Sequence, residues 1–221
     1  MHGKPSNLRR ILLGAGWWLM LLLAALVAVY AVAFLIVPTL GPSDLKAKFA
    51  RMPIATWSHL LGGAVALVCG PWQFRAALRD AYPRIHRLVG RVYVLAVAVG
   101  GLGGLAMAVV SDGGYVTHFG FGMLAISWLF TLAVAFRAIR RRDFNTHRAW
   151  MIRNFSLTFA AVTLRLYLAA AGAAGIPFLT AYRVISWLAW VPNLMIVEWR
   201  LQRETRPPDL TPSKSVEHSN V

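Results

Sequence analysis

The chain has 221 residues, 58% of them hydrophobic and only 14% charged, with a mean hydropathy of +0.57. That balance excludes a soluble domain of this size and marks a multi-span membrane protein. A net charge of +15 would suit nucleic acid, but the basic residues gather at the ends of apolar segments, where the positive-inside rule puts them, so nucleic acid is excluded as a partner.

In chain order, Lys4, Arg9 and Arg10 precede a first apolar run, residues 11–37. It is too long for the core of a signal peptide and lacks a small-residue cleavage site, so it reads as a retained helix. Five more runs follow, residues 54–74, 88–110, 116–136, 151–171 and 181–199. Each is about 20 residues, the length that crosses a bilayer. Gly70 and Pro71 weaken the inner end of the second. The lone cysteine, Cys69, excludes an intramolecular disulfide, a Cys-x-x-Cys-His haem attachment and a thiolate zinc cluster.

The loops set the orientation. Eighteen of the 23 Lys and Arg fall at the N-terminus, in the second-to-third and fourth-to-fifth connections, and in the tail. Lys46, Lys48, Arg51 and Arg183 lie on the other side, and Arg165 sits inside the fifth run. This bias predicts an all-α integral membrane fold of six transmembrane helices with cytoplasmic N and C termini, in the cell inner membrane. The expected organisation is a cytoplasmic N-terminus (1–10), a six-helix domain (11–203) and a disordered cytoplasmic tail (204–221), with anionic lipids at the cytoplasmic face.

A faint internal repeat runs through the middle. His59-x-x-Gly62 opens the second run, Phe74-Arg75-Ala76 closes it, and His86-Arg87 follows. His118-x-x-x-Gly122, Phe136-Arg137-Ala138 and His147-Arg148 repeat the order in the next two. Both copies run inward then outward, as parallel repeats would.

On this topology His59 and His118 lie near the outer face and His86 and His147 near the inner face, on alternating helices. Bundle cores hold cofactors between facing helices, and a bis-imidazole haem asks the protein for two neutral histidines. Gly62, Gly63, Gly90, Gly100, Gly101, Gly103, Gly104, Gly120 and Gly122 allow close helix packing or admit a flat macrocycle. Arg87, Arg91, Arg148 and Arg153 could neutralise propionates on the inner side, and Arg165 on the outer. The plain alternative is interfacial histidines, with Arg165 reaching for headgroups and Trp57, Trp72, Trp187 and Trp199 forming a belt. A non-redox protein, a small transporter or an assembly or interaction factor with Arg165 as an anionic-ligand site, stands beside the haem expectation. All eight carboxylates lie in loops, termini or at a helix end (Glu198), so no carboxylate relay crosses the bilayer. No Gly-x-Ser-x-Gly or His-Glu-x-x-His motif points to a hydrolase, and Asp143 is the carboxylate nearest a histidine for a non-haem metal.

The blocks HLLGGAVALVCGPWQF, PRIHRLVGRVY and HRAWMIRNFSLTFAAVTLRLYL resemble the bacterial membrane family called domain of unknown function 2306. That resemblance implies an integral membrane protein and no activity. The order and facing of the histidines is similar to the cytochrome b-561 family, six-helix proteins with two b-type haems. By that likeness His59 would pair with His118 and His86 with His147 around two haem b groups. No ascorbate-site motif accompanies them, so the redox partners are unspecified, and a homodimer stays open.

Overall fold

The computed structural model describes residues 7–205, with side chains from residue 14 to residue 204. The expected disordered tail, most of the N-terminal stretch, His2 and His218 therefore lie outside the described residues or at their edge. Among the described residues every regular element is a helix. They are α1 (Asn7–Ile36), α2 (Ser43–Ala50), α3 (Pro53–Gln73), α4 (Ala76–Ala81), α5 (Pro83–Ala108), α6 (Tyr115–Arg140), α7 (Phe144–Thr158), α8 (Ala160–Ala173), α9 (Phe178–Leu188) and α10 (Val191–Thr205). A chain in hydrocarbon must satisfy its backbone groups within each segment, and the helix does so.

Among the described residues five spans are long and apolar enough to cross a membrane: Gly14–Ile36, Pro53–Gln73, Pro83–Ala108, Tyr115–Arg140 and Phe144–Ala173. The sixth apolar run is built as two shorter helices, α9 and α10, parted at Ala189 and Trp190. Pro192 explains the break, since it has no N–H and its ring crowds the preceding turn. The fifth span also bends, at Phe159 between α7 and α8. Asn193 Nδ2 joins the two breaks, lying 3.3 Å from Ser156 O, 3.0 Å from Thr163 Oγ1 and 3.1 Å from Ala189 O.

Helix starts differ from the apolar pattern where caps intervene. Pro53 and Pro83 occupy the first positions of α3 and α5, where a missing N–H costs nothing. Asp143 caps α7, its Oδ1 accepting from Thr146 N at 3.0 Å. Polar, arginine-bearing first turns are thus helical, and His86 and His147 stand inside α5 and α7 rather than ahead of them. The two short helices, α2 and α4, cover the two ends of α3, here called outer and inner after the orientation expected from the charge bias, and leave no apolar signature.

α3 packs on α5, α5 on α6 and α6 on α7, and α7 touches α3, closing a ring of four. α3 thus faces α6 across the ring, and α5 faces α7. α1 lies outside on α3 and α8, while α9 and α10 lie against α6, α7 and α8. Lipid offers apolar side chains as much as a core does, so backbones associate through small residues and polar contacts. The α3–α5 seam shows this: a Cβ on Gly62 would stand 2.6 Å from Ala96 O, and one on Gly103 would stand 2.2 Å from Ser58 Oγ. α1 likewise buries Ala24, Ala28 and Ala31 and turns Leu19, Leu22 and Leu26 outward.

The middle of the ring holds polar groups that the sequence did not announce. Tyr93 and Asn154 are 0% exposed. Tyr93 Oη donates to Asn154 Oδ1 at 2.7 Å, and Trp128 Nε1 donates to Thr158 Oγ1 at 2.9 Å. Asn154 Nδ2 donates to Trp128 O at 2.7 Å and Thr131 Oγ1 at 2.8 Å. Three helices are thereby locked in register, each buried polar atom finding a partner.

Candidate functional site: histidines at the two ends of the ring

His147 projects from the first turn of α7, and its Nδ1 lies 2.9 Å from Ala135 O on α6. A carbonyl can only accept, so Nδ1 carries the proton and Nε2 keeps its lone pair. His86, in the first turn of α5, lies within electrostatic reach of His147. Its Nδ1 is buried without a partner. Both histidines thus lie at one end of the ring.

At the outer end His59 of α3 packs on the glycine stripe of α5. Its Nδ1 is 2.9 Å from Gly100 O, and a Cβ on Gly104 would stand 2.7 Å from that same nitrogen. Nε2 of His59 is again left free. His118, near the start of α6, is committed differently: its Nε2 lies 3.0 Å from Ser111 O in the preceding loop, beside the Tyr115 ring. An iron-ligating histidine keeps Nε2 for the metal and gives Nδ1–H to an acceptor. His59 and His147 meet that description, and His118 as placed uses the nitrogen that iron would need.

Arg165 of α8 is half-buried and lies within electrostatic reach of His59. Its Nη1 donates to Ala161 O at 2.8 Å, and its guanidinium lies 5.4 Å from the centre of the Tyr30 ring of α1. No carboxylate pairs with it among the described residues. On the inner side the four nominated arginines divide. Arg153 makes a two-pronged ion pair with Glu198 at 2.5 and 2.9 Å while lying 4.7 Å from the Trp150 ring centre, and Arg148 pairs with Glu204 at 2.9 Å. Arg87 and Arg91 are exposed, without an ion pair among the described residues.

Asp143 is no histidine partner. Its carboxylate is held below the ordinary range by the Thr146 amide and hydroxyl, in keeping with its capping role. Among the described residues no three His, Cys, Asp or Glu side chains cluster as metal ligands. The sequence reading missed two partners, Glu198 for Arg153 and Glu204 for Arg148.

Fold and site together define an integral membrane protein whose helical bundle carries histidines at both ends. Residues 56–200 match the family described as "Predicted membrane protein (DUF2306)", and the chain belongs to that family. No curated protein and no solved structure matches the chain.

Proposed function

We propose that the protein is an inner-membrane b-type haem protein that carries electrons across the bilayer, six spans with both termini cytoplasmic, α9 and α10 together forming the sixth. The observation that carries this is the contact of His147 Nδ1 with Ala135 O, which leaves Nε2 free at the end of the ring where His86 also lies. Bound haem would supply an iron centre that takes up and releases one electron. Everything else falls to the chain. Imidazoles from α5 and α7 would hold the inner group, and the carbonyl of Ala135 would fix one ring and raise its basicity. Arg87 and Arg91 would meet propionates at the inner surface. His59, its Nδ1 fixed by Gly100 O, would hold the outer group with His118 once His118 releases Ser111, and Arg165 would balance its negative charge.

The reduced-minus-oxidised absorbance spectrum of the purified protein tests the proposal. A dithionite-reduced b-type band that loses the inner group's share in His147→Ala is the expected result. A colourless, folded protein overturns it.

One observation favours a non-redox alternative: Arg165, half-buried with no carboxylate, is a cation waiting for an oxyanion. A small transporter or an assembly or interaction factor would use it so. A colourless protein whose melting temperature rises with added phosphate, and no longer does in Arg165→Met, selects that alternative.

A further inference from the structure

The inner ends of α1 and α3 meet in a group of aromatic side chains that the histidine sites do not use. Trp17 Nε1 donates to Pro71 O near the end of α3 at 3.0 Å, and its ring meets that of Trp72 edge-on at 5.2 Å. Trp18 stands edge-on to Trp17 at 4.8 Å and is 59% exposed. Arg75, two residues past the end of α3, lays its guanidinium 4.1 Å from the centre of the Trp17 ring and 6.0 Å from that of Trp18. The ring quadrupole attracts the cation, while the guanidinium's donors point outward from its edge. Among the described residues those donors meet no acceptor and no carboxylate, and Arg75 is exposed. Asp80, the nearest acid along the chain, is held by Arg79 at 3.0 Å. Two other stacked arginines are already engaged, Arg153 by Glu198 and Arg165 by Ala161 O.

We propose that Arg75, braced by Trp17, holds the phosphate of an anionic phospholipid in the leaflet at the inner end of the bundle. Depth points to this ligand. α3 has 21 residues, about 32 Å at about 1.5 Å per residue, which matches a hydrocarbon core of about 30 Å. Arg75 therefore stands in the headgroup layer, and Trp17, Trp18 and Trp72 lie where indoles settle at the interface. The fork of N–H groups matches two oxygens of a phosphate. Resting on a ring that Pro71 O itself fixes, the guanidinium loses less side-chain freedom on binding than a free arginine would. Inorganic phosphate offers the same oxygens, but a lipid adds acyl chains for the exposed rings of Trp18 and Trp72 to meet. Arg79, Arg84 and Arg87 follow in the same connection, and that surplus of positive charge favours a lipid of net negative charge. The site is independent of the histidines and of haem.

The test uses the full chain purified in detergent and titrated with phosphatidylglycerol, the bound lipid being counted by native mass spectrometry. Arg75→Met is expected to weaken the first bound lipid about tenfold, the loss of a charge-assisted hydrogen bond. Trp17→Leu should weaken it about threefold by removing the stacked face. Arg141→Met, which removes an exposed arginine that no ring supports among the described residues, should leave it unchanged. Phosphatidylcholine, whose phosphate is balanced by its own cation, should bind more weakly. Inorganic phosphate, with ionic strength matched by chloride, should not displace phosphatidylglycerol. Native affinity in Arg75→Met overturns the proposal, and so does an equal loss in Arg141→Met, which would mean general attraction to a basic surface. Displacement by inorganic phosphate would make the free anion the ligand and overturns it too, as does phosphatidylcholine bound as tightly as phosphatidylglycerol. Should Arg75→Met not fold, Arg75→Lys takes its place: a point charge cannot fork, so affinity equal to the native chain's overturns the assignment.

Discussion

The inner and outer ends of the ring carry the same number of histidines at similar helix positions, yet their rings are held in different ways. At the inner end both rings belong to first helical turns; Ala135 O holds the ring of His147, while Nδ1 of His86 is buried without a partner. At the outer end His59 lies against the α5 glycines, and His118 looks back to its own loop. A histidine's place in a span therefore says little about its use. The group on its second nitrogen says more, because that group chooses the tautomer.

The comparison breaks most visibly in haem content. His86→Ala or His147→Ala is expected to abolish the inner group and its absorbance, whereas His118→Ala should leave a b-type band, read in reduced-minus-oxidised spectra of purified variants. Equal loss in all three would make the two ends alike.

The next effect lies in packing. Gly103→Val would drive a side chain into Ser58 Oγ and Ala55 O, the latter 2.6 Å from the new Cβ, so α3 and α5 must part. Overpacking costs about 1–3 kcal/mol and more where backbone blocks relief, so the melting temperature in detergent should fall sharply and His59 should lose Gly100. Gly63→Ala, with open space around its Cβ, should leave both unchanged.

A smaller loss is expected between the two ends. Asn154→Leu removes the shared partner of Tyr93, Trp128 and Thr131. Membrane hydrogen bonds are each worth about 0.6 kcal/mol, up to about 1.7, so a loss of about 1–3 kcal/mol should appear in equilibrium unfolding. A larger fall at one histidine pair than at the other would tie the network to that end.

The smallest effect is pH-dependent and confined to the inner face. Asp143 is held below its ordinary range by Thr146. The sign follows: an acid depressed in the folded state stabilises it above the unfolded titration point, and that contribution disappears as pH falls through the carboxylate range. Native protein should outlast Asp143→Asn at neutral pH, and the gap should close on acidification.

Much of the fold was legible because a bilayer simplifies the code. The six apolar runs and the arginine bias needed only composition and position, and five of the runs became single long spans, the fifth bent at Phe159. The sixth run became two shorter helices, because apolar content does not reveal how Pro192 divides it. The helix starts at Pro83 and Phe144 were missed because caps are local and polar, invisible to hydropathy. Within the site, the placement of His86 and His147 at one end of the bundle could be read from topology. The turning of His118 to Ser111 and the claims of Glu198 and Glu204 on Arg153 and Arg148 could not.

The sequence by itself determined that this chain lives in a membrane, how its apolar runs are ordered and where its histidines fall along them. Those are one-dimensional facts, set by transfer free energy into hydrocarbon and by charge at the boundaries. Only the tertiary structure decided which carbonyl each imidazole meets, which arginines are already paired and that Tyr93 and Asn154 share the centre of the ring. Hydrogen bonds depend on rotation about helix axes to within an ångström, and that rotation is set by where Gly62 and Gly103 let two backbones touch.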